Sequence, residues 1–307
     1  MVVKDLELGA GMPVRKLLEM MGEMGGFMGP HLSKSYQTLL EMLRDGECLR
    51  IISFTGNIVS TGLRGILADM ARRRLFNLFI TTCGALDHDL ARSRAGYEAG
   101  SFDSDDYELA ERNIHRLGNV WISSKSYGSV IESEMRKLCG ELEGPVSTYE
   151  LCWRLGERID SDSSFLTWCW RNKIPVVVPG IVDGAVGYQL WLNMQGRKFY
   201  IDLMKDESLL NELMWSHTRK GGLVLGGGIS KHHLLWWAQF GGEGLDYAIY
   251  ISTADEYDGS LSGARPREAI TWHKVSAKAK HVFVKADATL ALPFLYLATL
   301  EALAENP

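Results

Sequence analysis

The chain has 307 residues, 46% of them hydrophobic and 23% charged, with a formal net charge of -5. That length allows one large α/β domain or two small ones, the acidic balance argues against general nucleic-acid binding, and no apolar run reaches the ~18–20 residues a membrane span needs. Five cysteines without CxxC spacing (Cys48, Cys83, Cys139, Cys152, Cys169) suggest neither a disulfide framework nor a zinc ribbon and suit a cytoplasmic protein, and the opening MVVKDLELGAG lacks a signal peptide's apolar core.

Residues 1–45 read as an N-terminal helical segment. Val14, Leu17, Leu18 and Met21, then Leu39, Leu40 and Leu43, recur at helical spacing, and GGFMGP (Gly25–Pro30) divides them. From residue 46 to 307 the pattern is strand alternating with helix. Short apolar runs fall at Leu49–Phe54, Leu78–Thr82, Val120–Ser123, Pro175–Val178, Gly222–Leu225, Tyr247–Ile251 and Val282–Val284. Helical patterns fall at Gly62–Arg73, Gly128–Leu142, Leu209–His217, Lys231–Phe240 and Arg267–Ser276. Such alternation predicts an α/β domain, a Rossmann-like parallel sheet with helices on both faces. Ligands in these folds bind at the carboxyl ends of the strands.

Several polar motifs lie at those ends. LGGGISKHH (Leu225–His233) follows a strand and opens a helix, where glycines let backbone approach a phosphate or ribose; a plain tight turn is the alternative. In EYDGSLSGARPREAITWHK (Glu256–Lys274), Lys274 stands two residues after Trp272. A lysine beside an indole can be desolvated and so form a Schiff base. In ALDHD (Ala85–Asp89), Asp87 and Asp89 would share a side of an extended chain, but no HxxxH or HxH spacing supports a metal site, and none is expected. A core role is the default for Trp236, Trp237 and Trp272, although an aromatic wall also suits a cationic ligand.

These blocks, with SFTGNIVSTGLRG (Ser53–Gly65), TTCGALDHDLAR (Thr81–Arg92), VPGIVDGAVG (Val178–Gly187) and KADATLALP (Lys285–Pro293), resemble the deoxyhypusine synthase family in its own order. The TGLRG, ALDHDLAR and DGSLSGARPREA wording looks most like the archaeal branch. The resemblance implies NAD-dependent transfer of the aminobutyl group of spermidine to a lysine of translation initiation factor 5A. Lys274 would capture the group as an enzyme imine, and His232 would bind substrate and move a proton. It places NAD against Asn57, Ser60, Thr82, Cys83, Gly84, Asp183, Gly226, Gly227, Gly228, Thr253, Ala254, Asp258, Ser262, Ala286 and Asp287. It places the amine near Asp87, His88, Tyr188, Trp236, Tyr250, Gly259, Leu261, Glu268 and Trp272.

A homotetramer with shared sites is also implied, with Met20, Met21, Phe27 and Met28 covering contacts. Three positions depart from the eukaryotic pattern. Tyr188 and Leu261 stand where those members carry aspartates, and Trp236 where they carry asparagine. The donor amine is therefore open. A homospermidine synthase or an agmatine-dependent transferase of the same fold is the alternative.

Overall fold

The computed structural model describes residues 2–305. It divides into two compact units, Met1–Phe54 with Leu209–Pro307, and Thr55–Ser208.

The chain opens with α1 (Val14–Glu23), α2 (Gly29–Arg44) and β1 (Cys48–Phe54). It enters the second unit through a 3-10 turn (Gly56–Ser60), α3 (Leu63–Arg72), β2 (Leu78–Ile80) and α4 (Cys83–Arg94). There follow β3 (Glu98–Ala99), α5 (Asp106–Glu111), β4 (Ile114–Leu117), β5 (Val120–Ser123), α6 (Val130–Gly140), β6 (Gly144–Val146), α7 (Thr148–Ile159), α8 (Phe165–Asn172), β7 (Val176–Val177), α9 (Ala185–Met194) and β8 (Phe199–Ile201). The first unit resumes within α10 (Leu203–Ser216) and continues with β9 (Arg219–Leu225), α11 (Gly228–Ala238), β10 (Leu245–Ser252), α12 (Pro266–Ile270), β11 (Val275–Lys285) and α13 (Ala288–Glu305).

In the first unit the strands run in the order β11-β10-β9-β1, every neighbour parallel. The interior strands are buried almost without interruption, as a sheet covered on both faces requires. Two consecutive glycines of β9 show the two covers. A side chain on Gly221 would meet Met42 of α2, and one on Gly222 would meet Leu234 of α11. The edge strand β11 alternates in burial and carries Lys278, Lys280 and Lys285, charges that discourage pairing with another edge. The second unit holds the parallel pair β2 and β7. The α/β fold with a parallel sheet and helices on both faces is as the sequence predicts.

Four expectations need correction. Val120–Ser123 is a strand, but of a small antiparallel sheet with β3 and β4. The helix expected over Arg267–Ser276 stops at Ile270, because His273 takes a left-handed φ of 54° and Val275 already begins β11. Asp87 and Asp89 lie on α4, not on extended chain. Finally, α13 is long and apolar enough to cross a membrane by length and composition. Its residues Leu292, Leu295 and Ala298 are nevertheless buried, and its Glu301 accepts the backbone N–H groups of Val14 and Arg15, capping α1 within the same unit. All five cysteines are free and buried.

Candidate active site

A cavity of about 470 Å³ in the first unit gathers Lys274, His232, Trp236, Tyr250, Leu261, Glu268 and Trp272. Each was singled out in the sequence. Helix α11 supplies His232 and Trp236, one turn apart, so their rings stack with centroids 6.3 Å apart. Helix α12 supplies Glu268, and the turn after it brings Trp272 and Lys274. The Lys274 Nζ lies 5.7 Å from the Trp236 ring centroid and 5.4 Å from that of Trp272. An aliphatic amine between two indoles is in the setting that favours a cation over π-faces.

Lys274 precedes β11, so the cavity is not confined to the carboxyl ends of the strands. It reaches toward the opposite end of the sheet, where Leu245 pairs with Val275. Gly244 makes this join possible: a Cβ there would sit 2.7 Å from the Lys274 carbonyl carbon. The imidazole of His232 is held below the usual range by partial burial and then by the charge of Lys274. Its neighbour His233 is pulled to about 4, mainly by burial, and does not line the cavity. Tyr250 is buried, which pushes its phenol up, and its hydroxyl has no hydrogen-bond partner among the described residues.

Lys231, Leu235, Gln239, Ala264, Arg265 and Ala269 also line the cavity and were not singled out in the sequence. Lys231 is the informative one. It is 1% exposed, its Nζ lies 4.7 Å from the Tyr250 ring centroid, and burial pulls its amine down to about 8. Only its place beside His232 in KHH hinted at this.

Residues expected to meet a dinucleotide in this unit fall just after strands. Gly226, Gly227 and Gly228 follow β9 and open α11, with left-handed φ of 87° at Gly226 and 68° at Gly228. Gly227 is pressed against the loop that follows β10: a Cβ on it would sit 2.4 Å from Ser262 Oγ. Thr253 and Ala254 follow β10, Ala286 and Asp287 follow β11, and Asp258, Gly259 and Ser262 lie in the loop before α12. Asp287 also caps α13, its Oδ1 accepting the Thr289 N–H at 2.8 Å.

The remaining candidates belong to the second unit. Asn57 and Ser60 lie in the 3-10 turn. Thr82, Cys83 and Gly84 start α4, and the Gly56 N–H donates to Thr82 Oγ1 at 3.0 Å. Burial pushes the Cys83 thiol up. Asp183 is exposed ahead of α9, and Tyr188 is exposed on that helix.

Asp87 is buried and accepts from Tyr127 Oη at 2.8 Å, Ala185 N at 2.9 Å and Val186 N at 2.8 Å. It thereby caps α9. Burial raises its carboxyl in spite of these bonds. Asp89, on another face of α4, pairs with Arg64 at 2.5 Å and accepts from Ser164 Oγ at 2.6 Å. The His88 Nδ1 lies 2.9 Å from Tyr97 Oη.

A parallel α/β sheet with glycine-rich strand ends defines a Rossmann-like fold, here with an aromatic, lysine-bearing cavity. Comparison with known proteins narrows this. The deoxyhypusine synthase family profile matches residues 16–299, and the chain belongs to that family. A Sulfolobus acidocaldarius protein named probable deoxyhypusine synthase is 48% identical over 303 residues, covering 97% of each chain. A Pyrobaculum calidifontis protein of the same name is 50% identical over 294 residues, covering 93% of this chain and 99% of that one. The archaeal character of the motifs is therefore matched.

The crystal structure of a candidate deoxyhypusine synthase from Entamoeba histolytica superposes with a TM-score of 0.65 at 18% identity, over 97% of each chain. A complex of AgrE with ornithine and NAD+ gives 0.57 at 16% identity, over 91% of this chain and 34% of that one. At these identities the likeness is one of fold.

Proposed function

We propose that this chain uses NAD to move the aminobutyl group of spermidine onto one lysine of translation initiation factor 5A. The cavity supports this reading above all: one lysine amine stands between two indoles, with a carboxylate and an imidazole among the lining residues. The methylenes of a polyamine need apolar cover, which Leu235, Leu261 and the indole faces supply, and its ammonium groups need an acid and π-faces. Glu268 is the one carboxylate among the lining residues described.

His232, kept neutral by burial and by the charge of Lys274, would take a proton from the substrate amine. Lys274, its ammonium proton passing to the departing nitrogen, would attack the imine carbon of the oxidised amine and expel 1,3-diaminopropane, leaving the four-carbon unit on Lys274 as an imine. The lysine of the factor would then displace Lys274 by transimination. These imines would need shielding from water, which would otherwise hydrolyse them, and the indoles of Trp236 and Trp272 are the apolar cover at hand.

When bound, NAD supplies the acceptor for hydride from the amine carbon and returns it to the final imine. The residues present fit such a group. The positive-φ glycines Gly226 and Gly228 open the 11-residue helix α11 without side chains of their own, beside Ser262, whose Oγ accepts the Gly228 N–H; a glycine turn at a helix N-terminus is an arrangement that receives a phosphate. Thr253, Ala254, Asp258, Ser262, Ala286 and Asp287 would hold the dinucleotide from the first unit. Within the second unit, Asn57, Ser60, Thr82, Cys83, Gly84 and Asp183 are the residues that the family resemblance assigns to the cofactor. Tyr250 and Gly259 would complete the amine site within the first unit; Asp87, His88 and Tyr188, assigned to the amine by the family resemblance, belong to the second. A cytoplasmic homotetramer is part of the same reading; Phe27, 97% exposed, and Trp191, 56% exposed, are apolar surface that assembly would cover.

Mass spectrometry of the factor after incubation with the protein, NAD and spermidine tests the proposal. One added aminobutyl group, with release of 1,3-diaminopropane, is the expected result. An unmodified factor would refute it. The single acid lining the cavity favours a second reading, in which agmatine or putrescine also serves. Homospermidine or guanidinobutyl products from those amines would mark it.

A further inference from the structure

The cavity contains a second lysine amine that the chemistry above does not use. Lys231 is more deeply buried than Lys274, and its Nζ donates to the carbonyls of Leu261 at 2.8 Å and Ala264 at 2.7 Å, with that of Ser262 at 3.5 Å. An amine whose protons are directed at backbone carbonyls, and which is 1% exposed, has no lone pair to offer a substrate. It is not a rival nucleophile. Its three acceptors all belong to the loop before α12, and that loop makes two further contacts on the other side. Ser262 Oγ accepts the Gly228 N–H at 3.1 Å, and Gly227 fits only because it lacks a side chain that would strike Ser262.

The 258–264 loop therefore touches the glycine turn with Ser262 and forms the cavity wall with Leu261 and Ala264. Its internal bonds are short-range turns: Asp258 Oδ1 accepts the Ser260 N–H, and Ser260 O accepts the Gly263 N–H. Such a segment opens readily unless tied to the scaffold. Lys231 is that tie, and it costs the desolvation of a charge that only several good acceptors can offset.

We propose that Lys231 is a positioning residue, pinning the 258–264 loop to α11 so that the glycine turn and the amine cavity are held in register. Its effect on ligands rests on the NAD and spermidine reading above, but its effect on the loop does not. The test accordingly has two arms on the full-length protein.

In the ligand-free arm, hydrogen exchange of residues 258–264 is compared between wild type, Lys231→Met and Lys231→Arg. Lys231→Met should exchange at least tenfold faster in this loop, with the strands unchanged, and Lys231→Arg should recover most of the protection. Unchanged loop exchange in Lys231→Met would overturn the proposal. Should Lys231→Met fail to fold, Lys231→Gln serves in its place: loop exchange severalfold faster than wild type is expected, and unchanged loop exchange would overturn the proposal.

In the ligand arm, NAD affinity is measured by calorimetry, and KM and kcat for spermidine by turnover. Lys231→Met should weaken NAD about fivefold and raise KM about tenfold, with a smaller fall in kcat and rescue by Lys231→Arg. Loss of kcat at unchanged KM and NAD affinity would show that Lys231 reacts rather than positions. If the wild type itself neither binds NAD nor turns over spermidine, the functional reading fails, and the exchange arm still decides the loop.

Discussion

The Nζ of Lys274 lies 5.4 Å from the centre of the Trp272 ring, although a single residue separates the two in the chain. The left-handed backbone of His273, at φ 54°, and a hydrogen bond from the Lys274 N–H to Ala269 O at 3.0 Å fold the turn back on α12. A non-glycine residue in that conformation is held there by its surroundings, here the close approach of Gly244. The lysine is thus fixed by a turn instead of hanging from a mobile loop.

If Lys274 carries the aminobutyl group, Lys274→Arg abolishes the adduct trapped by borohydride in the presence of NAD and spermidine. A guanidinium stays protonated and forms no imine. NAD binding is retained, since the glycine turn and Asp287 are untouched. Transfer at a near wild-type rate by this variant would reassign the nucleophile.

If the cavity binds an amine, its strongest demand falls on Glu268. Tyr188 is 56% exposed on α9 and Leu261 is apolar, so Glu268 is the acid left to meet an ammonium group in the cavity. A π-face contributes roughly 0.5–2 kcal/mol to cation binding, less than a charge-assisted pair within a site. Glu268→Gln is expected to raise KM for spermidine by at least tenfold, and Tyr188→Phe by less than threefold. Steady-state kinetics with spermidine, agmatine and putrescine would reveal the pattern. An indifferent Glu268→Gln enzyme that still rejects every amine but spermidine would place the anchor elsewhere.

How far the sequence carried this picture depends on what each residue's role requires. The parallel sheet was legible because β1, β9 and β10 are buried on both faces, and a continuous apolar run is the direct signature of that burial. Helix α4 was not legible: Asp87, His88 and Asp89 are all buried there, so it shows no polar face. Its polar residues are satisfied by distant partners, α9 for Asp87, Tyr97 for His88 and Arg64 for Asp89. The cavity lysine and aromatics were found by motif. Lys231 was missed because a buried lysine looks like any other until its acceptors, 30 and 33 residues away, are known.

The burial of His88 predicts a defined acid sensitivity. Its imidazole is pulled from 6.5 to about 4, first by desolvation and then by Arg92. The unfolded chain therefore binds a proton between those values that the folded chain refuses. The stability due to the neutral ring is fully present above pH 6.5 and is lost as pH falls toward 4. At 1.36 kcal/mol per unit the loss approaches about 3 kcal/mol. Denaturant unfolding of wild type and His88→Asn between pH 7 and pH 4.5 would reveal it. The wild type should lose more stability than the variant by about 2 kcal/mol, and parallel curves would mean that His88 is solvated.

Asp287 carries two roles that one substitution would confuse. Its Oδ1 accepts the Thr289 N–H and caps α13, so Asp287→Ala should lower stability by about 1 kcal/mol whatever it does to NAD. Asparagine keeps an oxygen for the cap and removes the charge. If Asp287 also holds a ribose hydroxyl, as acids past a strand end do in dinucleotide folds, Asp287→Asn melts within a degree or two of wild type. It should nevertheless bind NAD several-fold more weakly by calorimetry. Asp287→Ala should show both defects. Should Asp287→Asn bind NAD as tightly as wild type while Asp287→Ala loses stability alone, the residue is a helix cap and the ribose is held by another group.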